Sequence, residues 1–296
     1  MLERTYIIEV HGKLIYLGSI GSFEQRCGYR VEFDLLLPTV VFIVVVAAVF
    51  LHQKLEKRII PLFEEKKLGV REAVLMVLAM GLLVTVIAFL PSRAVQILYI
   101  SVYSFAMFSL TFLASRRWYI AVIPPLLFTL SYFLYWTLYT LNLSAAIFAV
   151  IITVYVGALF SWRTTWIFAI LLTVIDVIQV LVTGSMGELA DKALSLSLPV
   201  FIVLPTFPAK GMMVLGLGDI FLSGLLSLQT VLRRGRKIGI LTAATISIAM
   251  FVFEILLFNV VYTGYFPATI VVISGWLVGI GTTWLIYPGN DCTRTK

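Results

Sequence analysis

The chain has 296 residues, of which 61% are hydrophobic and only 12% are charged. The apolar residues form long blocks rather than amphipathic periods, which argues against a soluble domain and indicates that lipid surrounds much of the chain. The formal net charge is +7, which we attribute to basic loops at a membrane surface because no nucleic-acid-binding motif accompanies it.

Residues 1–33 differ from the rest, because charged side chains interrupt their short apolar runs. No basic stretch leads into an apolar core, so the segment does not resemble a signal peptide. The alternation from Tyr6 to Val10 predicts a short strand or hairpin, although a mis-assigned start codon explains the segment equally well. We treat 1–33 as an extramembrane segment.

The remainder predicts an all-α integral membrane protein with nine spans of about 20 residues each. The spans are 34–52, 72–90, 94–114, 118–139, 143–160, 165–183, 211–232, 238–260 and 266–286. Pro124 and Pro125 are expected to kink the fourth span, and only Leu141-Asn142-Leu143 separates it from the fifth. The two cysteines, Cys27 and Cys292, and the two histidines show no metal-ligand spacing, so we expect neither a metal nor a cofactor.

Lysine and arginine are distributed unequally between the two sides of this topology. One side carries fifteen of the 22 Lys and Arg residues and the other carries seven. The positive-inside rule then predicts a multi-pass protein with its C-terminus in the cytoplasm and its N-terminus outside.

The connection between the sixth and seventh spans, 184–210, contains an apolar run that is too short to cross a membrane. This run ends at Pro205, is interrupted by Pro199 and is rich in β-branched residues. It predicts a strand-like segment at the membrane interface, over about 198–204.

Three acidic residues lie deep in predicted spans: Asp176, Asp219 and Glu254. A charge at the centre of a bilayer costs about 2.5–3.5 kcal/mol even on the lenient insertion scale. Asp176 lies about 7 residues before the end of its span and Asp219 about 8 residues into the next, so both are about 10–12 Å from the same face. Consecutive spans are usually neighbours, so these two carboxyl groups are expected to meet.

Two adjacent carboxyl groups share one proton, which provides a general base to activate water and a general acid to protonate a reacting group. Gly216, three residues before Asp219, leaves room for another backbone to approach. Pro267-Ala268-Thr269 opens the last span, where a proline is ordinary at a helix start. We interpret Glu254 as a residue that hydrogen-bonds a neighbouring helix or lines a cavity.

The sequence Gly216-Leu217-Gly218-Asp219, an aspartate one span earlier and Pro-Ala at the last span resemble the presenilin and signal peptide peptidase family. These are the GxGD intramembrane aspartyl proteases. The resemblance covers about 34–290 in layout and implies that Asp176 and Asp219 are the catalytic pair. It also implies that Gly216, Leu217, Gly218, Pro267, Ala268 and Thr269 contact substrate or shape the site.

The chain departs from the family pattern in two places. Ile175 precedes the first aspartate where the family has tyrosine, and Thr269 replaces the leucine of Pro-Ala-Leu. The sixth-to-seventh connection lacks the long insertion of presenilins, and the predicted orientation resembles that of signal peptide peptidases. With these assignments, 34–160 forms a scaffold half and 161–296 a catalytic half.

The leading hypothesis is hydrolysis of a peptide bond within a transmembrane segment of another protein or a signal-peptide remnant. The substrate would add as a strand beside 198–204, so Val200 and Ile202 are predicted to contact it. Membrane lipids are the other expected partner, and the oligomeric state is left open. An ion- or proton-coupled transporter or channel is the alternative, since intramembrane acids also mark such pathways. A non-catalytic protein that binds transmembrane helices is a third.

Overall fold

The structure is a computed structural model and describes residues 6–10, 13–17, 33–63, 68–183, 185–208, 211–260 and 266–286. Most of the predicted 1–33 segment, together with Cys27 and Cys292, lies outside these residues. Tyr6–Val10 (β1) and Lys13–Leu17 (β2) pair antiparallel, which confirms the predicted hairpin.

Helices occupy each of the nine predicted segments, although the fourth is broken and the seventh begins late. They are α1 Leu36–Phe63, α2 Val70–Phe89, α3 Ser92–Ser115, α4 Trp118–Ala121, α5 Ile123–Leu134, α6 Leu138–Leu159, α7 Trp162–Val177, α8 Ser185–Ser195, α9 Leu217–Arg234, α10 Arg236–Asn259 and α11 Ala268–Ile286. Within the described residues, α1, α3, α6, α7 with the turn that follows it, and α10 are long and apolar enough to cross a membrane. Membrane passage by all nine segments stays a prediction.

Two predicted boundaries are wrong. The break between the fourth and fifth segments lies at 135–137, where Thr137 caps α6, so Asn142 is inside a helix rather than between two. The seventh segment does not begin as a helix at 211, because Met212–Gly216 forms strand β4 and α9 starts at Leu217. The predicted kink at Pro124-Pro125 is instead a break, with α4 ending before it and the prolines in the first turn of α5.

Helix α9 lies at the centre of the bundle, and every residue from Ile220 to Val231 is buried. It packs against α1, α6, α10, α11 and α7. Small residues allow the closest approaches: an added Cβ on Gly224 would lie 2.7 Å from Oγ1 of Thr153 on α6. Such packing is typical of helices that associate in lipid, where no hydrophobic effect drives them together.

The connection between α7 and α9 holds more structure than the sequence predicted. A π-helical turn, Ile178–Val182, extends α7, and α8 follows. Phe201–Pro205 (β3) then pairs antiparallel with β4, which confirms a strand near the predicted one. Lys192 of α8 donates hydrogen bonds to the carbonyls of Ile87 and Leu90 at the end of α2, so α8 is attached to the bundle.

Candidate active site

Asp176 lies on α7, two residues before the π-helical turn, and is partly buried. The hydroxyl of Thr269 donates a hydrogen bond of 2.7 Å to Oδ2 of Asp176. Thr269 is 4% exposed and lies in the first turn of α11, directly after Ala268, which begins that helix. Thr269, which replaces the leucine of the Pro-Ala-Leu pattern, therefore contacts Asp176, one of the two aspartates predicted to be catalytic.

Asp219 lies at the junction between strand and helix. Strand β4 ends at Gly216, which is the residue before α9, and Asp219 is the third residue of that helix. Gly216 has an extended backbone, and an added Cβ there would lie 3.4 Å from Oδ2 of Asp219. Gly218 is exposed, and nothing lies within 4 Å of a Cβ added to it. The Asp219 carboxyl group is thus in contact range of Gly216, while the space beside Gly218 is open among the described residues.

The two aspartates lie at matching depth on antiparallel helices. At the far ends of α7 and α9, the guanidinium of Arg233 lies 4.7 Å from the ring centroid of Trp162. Asp176 follows Trp162 by 14 residues, and Asp219 precedes Arg233 by 14 residues. At 1.5 Å per residue, each aspartate is about 21 Å from this contact along its helix. The carboxyl groups of Asp176 and Asp219 interact electrostatically.

The remaining residues of the predicted last-span element lie beside this pair. Helix α11 packs against both α7 and α9. Pro267 is buried and precedes α11, and its carbonyl accepts a hydrogen bond from the backbone N–H of Ile270. Leu217 is also buried, and its N–H donates to the carbonyl of Val200. The structure therefore groups Thr269 with Asp176, and Gly216 with Asp219, around the contact between α7 and α9.

Among the described residues, no strand pairs with the outer edge of β4, which is therefore the free edge of the β3–β4 hairpin. Leu217 N–H bonds to Val200 at one end of the hairpin, and Thr206 N–H bonds to the Gly211 carbonyl at the other. Because antiparallel pairs alternate between bonded and non-bonded positions, the backbone groups of Ile202 face β4. The groups that point away from the hairpin on the β4 side belong to Met212, Val214 and Gly216.

The predicted role of Val200 and Ile202 does not fit this geometry. The carbonyl of Val200 is already paired, and the side chain of Ile202 is 2% exposed and belongs to the core. Any strand added to the hairpin must pair with β4 instead. The sequence pointed to the apolar run of β3 because β3 has the stronger strand composition, but β3 is the inner strand.

The outer edge of β3 is occupied by the side chain of Asn142 from α6. Its Nδ2 donates to the carbonyl of Val203 at 2.6 Å, and its Oδ1 accepts from the N–H of Val203 at 2.8 Å. Tyr99 of α3 and Trp136, just before α6, donate to backbone carbonyls immediately ahead of β3. The hairpin is therefore fixed to the bundle along β3. None of these residues was assigned a site role from the sequence, although an isolated amide within an apolar run indicates such a partner.

A second pair of acids lies apart from the first. Asp34 is fully buried and accepts hydrogen bonds from the N–H groups of Leu36 and Leu37 at the start of α1 and of Phe207 after β3. Glu254 of α10 is 2% exposed, interacts electrostatically with Asp34, and its Oε2 has no hydrogen-bond partner among the described residues. Asp34 thereby attaches the end of the hairpin to α1. The sequence could have indicated this role of Asp34, because an acidic residue directly before an apolar helix is typical of a helix N-cap.

Within the described ranges, no three His, Cys, Asp or Glu side chains lie together as metal ligands would. The chemistry available at the site is thus that of two carboxyl groups, one hydroxyl and a free strand edge. No family model matches the chain, and none of the curated proteins matches its sequence.

Proposed function

We propose that the chain is an intramembrane aspartyl protease that hydrolyses peptide bonds within transmembrane segments of other proteins. The observation that supports the proposal is the position of Asp176 and Asp219 at matching depth on the packed helices α7 and α9, with Asp219 three residues after the end of β4. A protease acting on extended peptides needs both features: a pair of carboxyl groups and a backbone that holds the scissile bond next to them.

In the proposed reaction, one carboxylate removes a proton from water while the water oxygen attacks the scissile carbonyl carbon. The other carboxyl group gives its proton to the carbonyl oxygen, which forms a tetrahedral intermediate with two hydroxyl groups. The first carboxyl group then gives the proton it took from water to the nitrogen, the C–N bond breaks, and one hydroxyl proton returns to the second carboxylate. We assign Asp176 as the base, because the Thr269 hydroxyl already donates to it. Asp219 then carries the shared proton. Its carboxyl group accepts no hydrogen bond from another described side chain, and only its backbone carbonyl accepts one, from the Ser223 hydroxyl.

The substrate would bind by strand addition to β4. Backbone polar groups in lipid must be paired, so a transmembrane helix that unwinds for cleavage needs new partners. The outward backbone groups of Met212, Val214 and Gly216 supply them. A five-residue extended segment would pair along β4 and end beside Gly218, where a Cβ would meet nothing within 4 Å among the described residues.

The test is cleavage of a reporter transmembrane peptide, labelled at both ends, by the purified chain in lipid vesicles. Asp176→Asn and Asp219→Asn keep side-chain shape but remove proton transfer, so each is expected to lower kcat by at least about 1,000-fold. Glu254→Gln is the matched control, since it also neutralises a buried intramembrane acid but lies outside the proposed chemistry. Full activity of either aspartate variant refutes the proposal, provided that its thermal unfolding resembles that of the parent.

Transport is the second candidate, and Glu254 is the observation that favours it. The Oε2 atom of this buried carboxyl group has no hydrogen-bond partner among the described residues. Buried carboxyl groups of this kind accept and release protons in carriers. Proton or cation flux into vesicles distinguishes the two functions. Flux that requires Glu254 but not Asp219, together with no peptide cleavage, would establish the carrier and exclude the protease.

A further inference from the structure

Helices α9 and α10 are joined by a strongly basic turn, formed by Arg233, Arg234, Gly235, Arg236 and Lys237. Gly235 has φ of +94°, a conformation that favours glycine and allows the chain to reverse within one residue. The side chains of Arg233, Arg236 and Lys237 are exposed. Three solvent-facing cations are thus concentrated where two helices of the central bundle end.

Aromatic rings from other helices hold two of these guanidinium groups in place. Arg233 lies over Trp162 at the start of α7, and Arg236 lies over Phe50 of α1 at 4.1 Å from the ring centroid. Stacked guanidinium groups keep their N–H edges available for hydrogen bonds to planar or tetrahedral anions. The turn therefore presents oriented donors rather than freely moving charges.

No described carboxylate forms an ion pair with Arg233, Arg236 or Lys237. Helix α10 also begins at Arg236 without an acidic residue in its first turn and without a side-chain cap. The charges of these three side chains have no carboxylate partner among the described residues. Phosphate is the anion expected at such a turn, because its oxygens accept paired hydrogen bonds from a guanidinium group.

We propose that this basic turn binds the phosphate of an anionic phospholipid headgroup. A lipid fits better than free phosphate because apolar side chains continue directly from the turn: Phe50 is 43% exposed and Leu232 is 47% exposed. The turn also lies at the start of α10, a helix that is long and apolar enough to cross a membrane, so its charges belong at the headgroup level.

A bound headgroup would join four helices, because Arg233 contacts α7 and Arg236 contacts α1. Two of these helices, α7 and α9, carry Asp176 and Asp219. The lipid would therefore hold the aspartate-bearing helices together at their far ends. The binding itself does not depend on the proposed proteolysis and is measured without any substrate.

The experiment uses the full chain in nanodiscs of phosphatidylcholine, with or without phosphatidylglycerol. We expect phosphatidylglycerol to raise the thermal unfolding midpoint of the parent, and lipid retention in native mass spectrometry to show phosphatidylglycerol bound. Arg233→Gln combined with Arg236→Gln should lower phosphatidylglycerol affinity by roughly 10- to 30-fold and remove most of the midpoint shift. Arg116→Gln combined with Arg117→Gln, which removes two exposed arginines elsewhere, should leave both measurements unchanged.

Three results would overturn the proposal. The first is an equal shift in the parent and the Arg233/Arg236 glutamine variant. The second is an equal loss in the Arg116/Arg117 control, which would indicate a response to total charge alone. The third is a shift produced by inorganic phosphate in phosphatidylcholine nanodiscs, which would assign the turn to free anions. If the glutamine variant does not fold, Arg233→Lys combined with Arg236→Lys is used, and undiminished phosphatidylglycerol retention by that variant overturns the role of the stacked guanidinium groups.

Discussion

Replacing Thr269 with valine tests whether this side chain positions a catalytic carboxylate or contacts substrate. The substitution keeps the branched shape of the side chain and removes the hydroxyl that donates to Asp176 at 2.7 Å. A hydrogen bond to a charged group contributes about 1.5–3 kcal/mol. Because a factor of ten in rate corresponds to about 1.4 kcal/mol, we expect kcat to fall by about 10- to 100-fold.

The same substitution should leave KM nearly unchanged. Thr269 is only 4% exposed, so its side chain offers little surface to a substrate, and its hydroxyl is engaged by Asp176. Thr269→Ser keeps the donor and should recover most of the lost rate. The measurement is steady-state cleavage of the labelled transmembrane reporter over a range of substrate densities in the vesicle membrane.

Thr165→Val provides the control for hydroxyl removal. Thr165 is equally buried and lies on α7 with Asp176, but its hydroxyl donates only to the carbonyl of Ser161 in its own helix. That variant should retain the parent kcat. An unchanged kcat in Thr269→Val would refute the positioning role, and a rise in KM as large as the fall in kcat would return Thr269 to the substrate-contacting role that the family resemblance implies.

Four further substitutions test the space beside Gly218, the outer edge of β4 and the attachment of the hairpin. Gly218→Ala should leave the free energy of unfolding unchanged or raise it by up to about 1 kcal/mol and should slow cleavage. Gly224→Ala is the contrasting variant, because its Cβ would lie 2.7 Å from a neighbouring side-chain atom. It should lower the free energy of unfolding by about 1–3 kcal/mol. Val214→Pro removes an outward N–H of β4 and should raise KM by about tenfold without a change in thermal unfolding, and unchanged cleavage kinetics would argue against strand addition. Asn142→Ala leaves both backbone groups of Val203 unpaired and should cost about 2–5 kcal/mol of stability in denaturant unfolding.

The helical bundle could be predicted from the sequence because hydropathy reports directly on lipid exposure. Every predicted apolar segment holds a helix, and the similar depth of Asp176 and Asp219 followed from counting residues along two segments. Met212–Gly216 was assigned to a helix because a short apolar run fits a helix or a strand equally well. Pairing with β3 decides that question, and such pairing is not local to the sequence.

Contacts between distant residues could not be predicted for the same reason. Asn142 lies 61 residues before Val203. An amide within an apolar run predicts a hydrogen-bond partner, but it does not indicate which backbone supplies that partner. Thr269 was predicted to contact substrate or shape the site and was noted as a departure from the motif, but its hydrogen bond to Asp176 was not predicted. Helix α8 was missed because it is amphipathic and short, so hydropathy did not distinguish it from a loop.

Continuity between β4 and α9 links substrate pairing to the position of cleavage. Strand β4 ends at Gly216 and α9 begins at the next residue, so a strand paired with Gly216 has a set distance to Asp219. A substrate shifted by two residues would move its scissile bond by about 7 Å, which is beyond the reach of a carboxyl group. Asn142 along β3 and Asp34 at the hairpin's end both oppose sliding of the hairpin. Cleavage position should therefore follow the register on β4 rather than the sequence at the scissile bond.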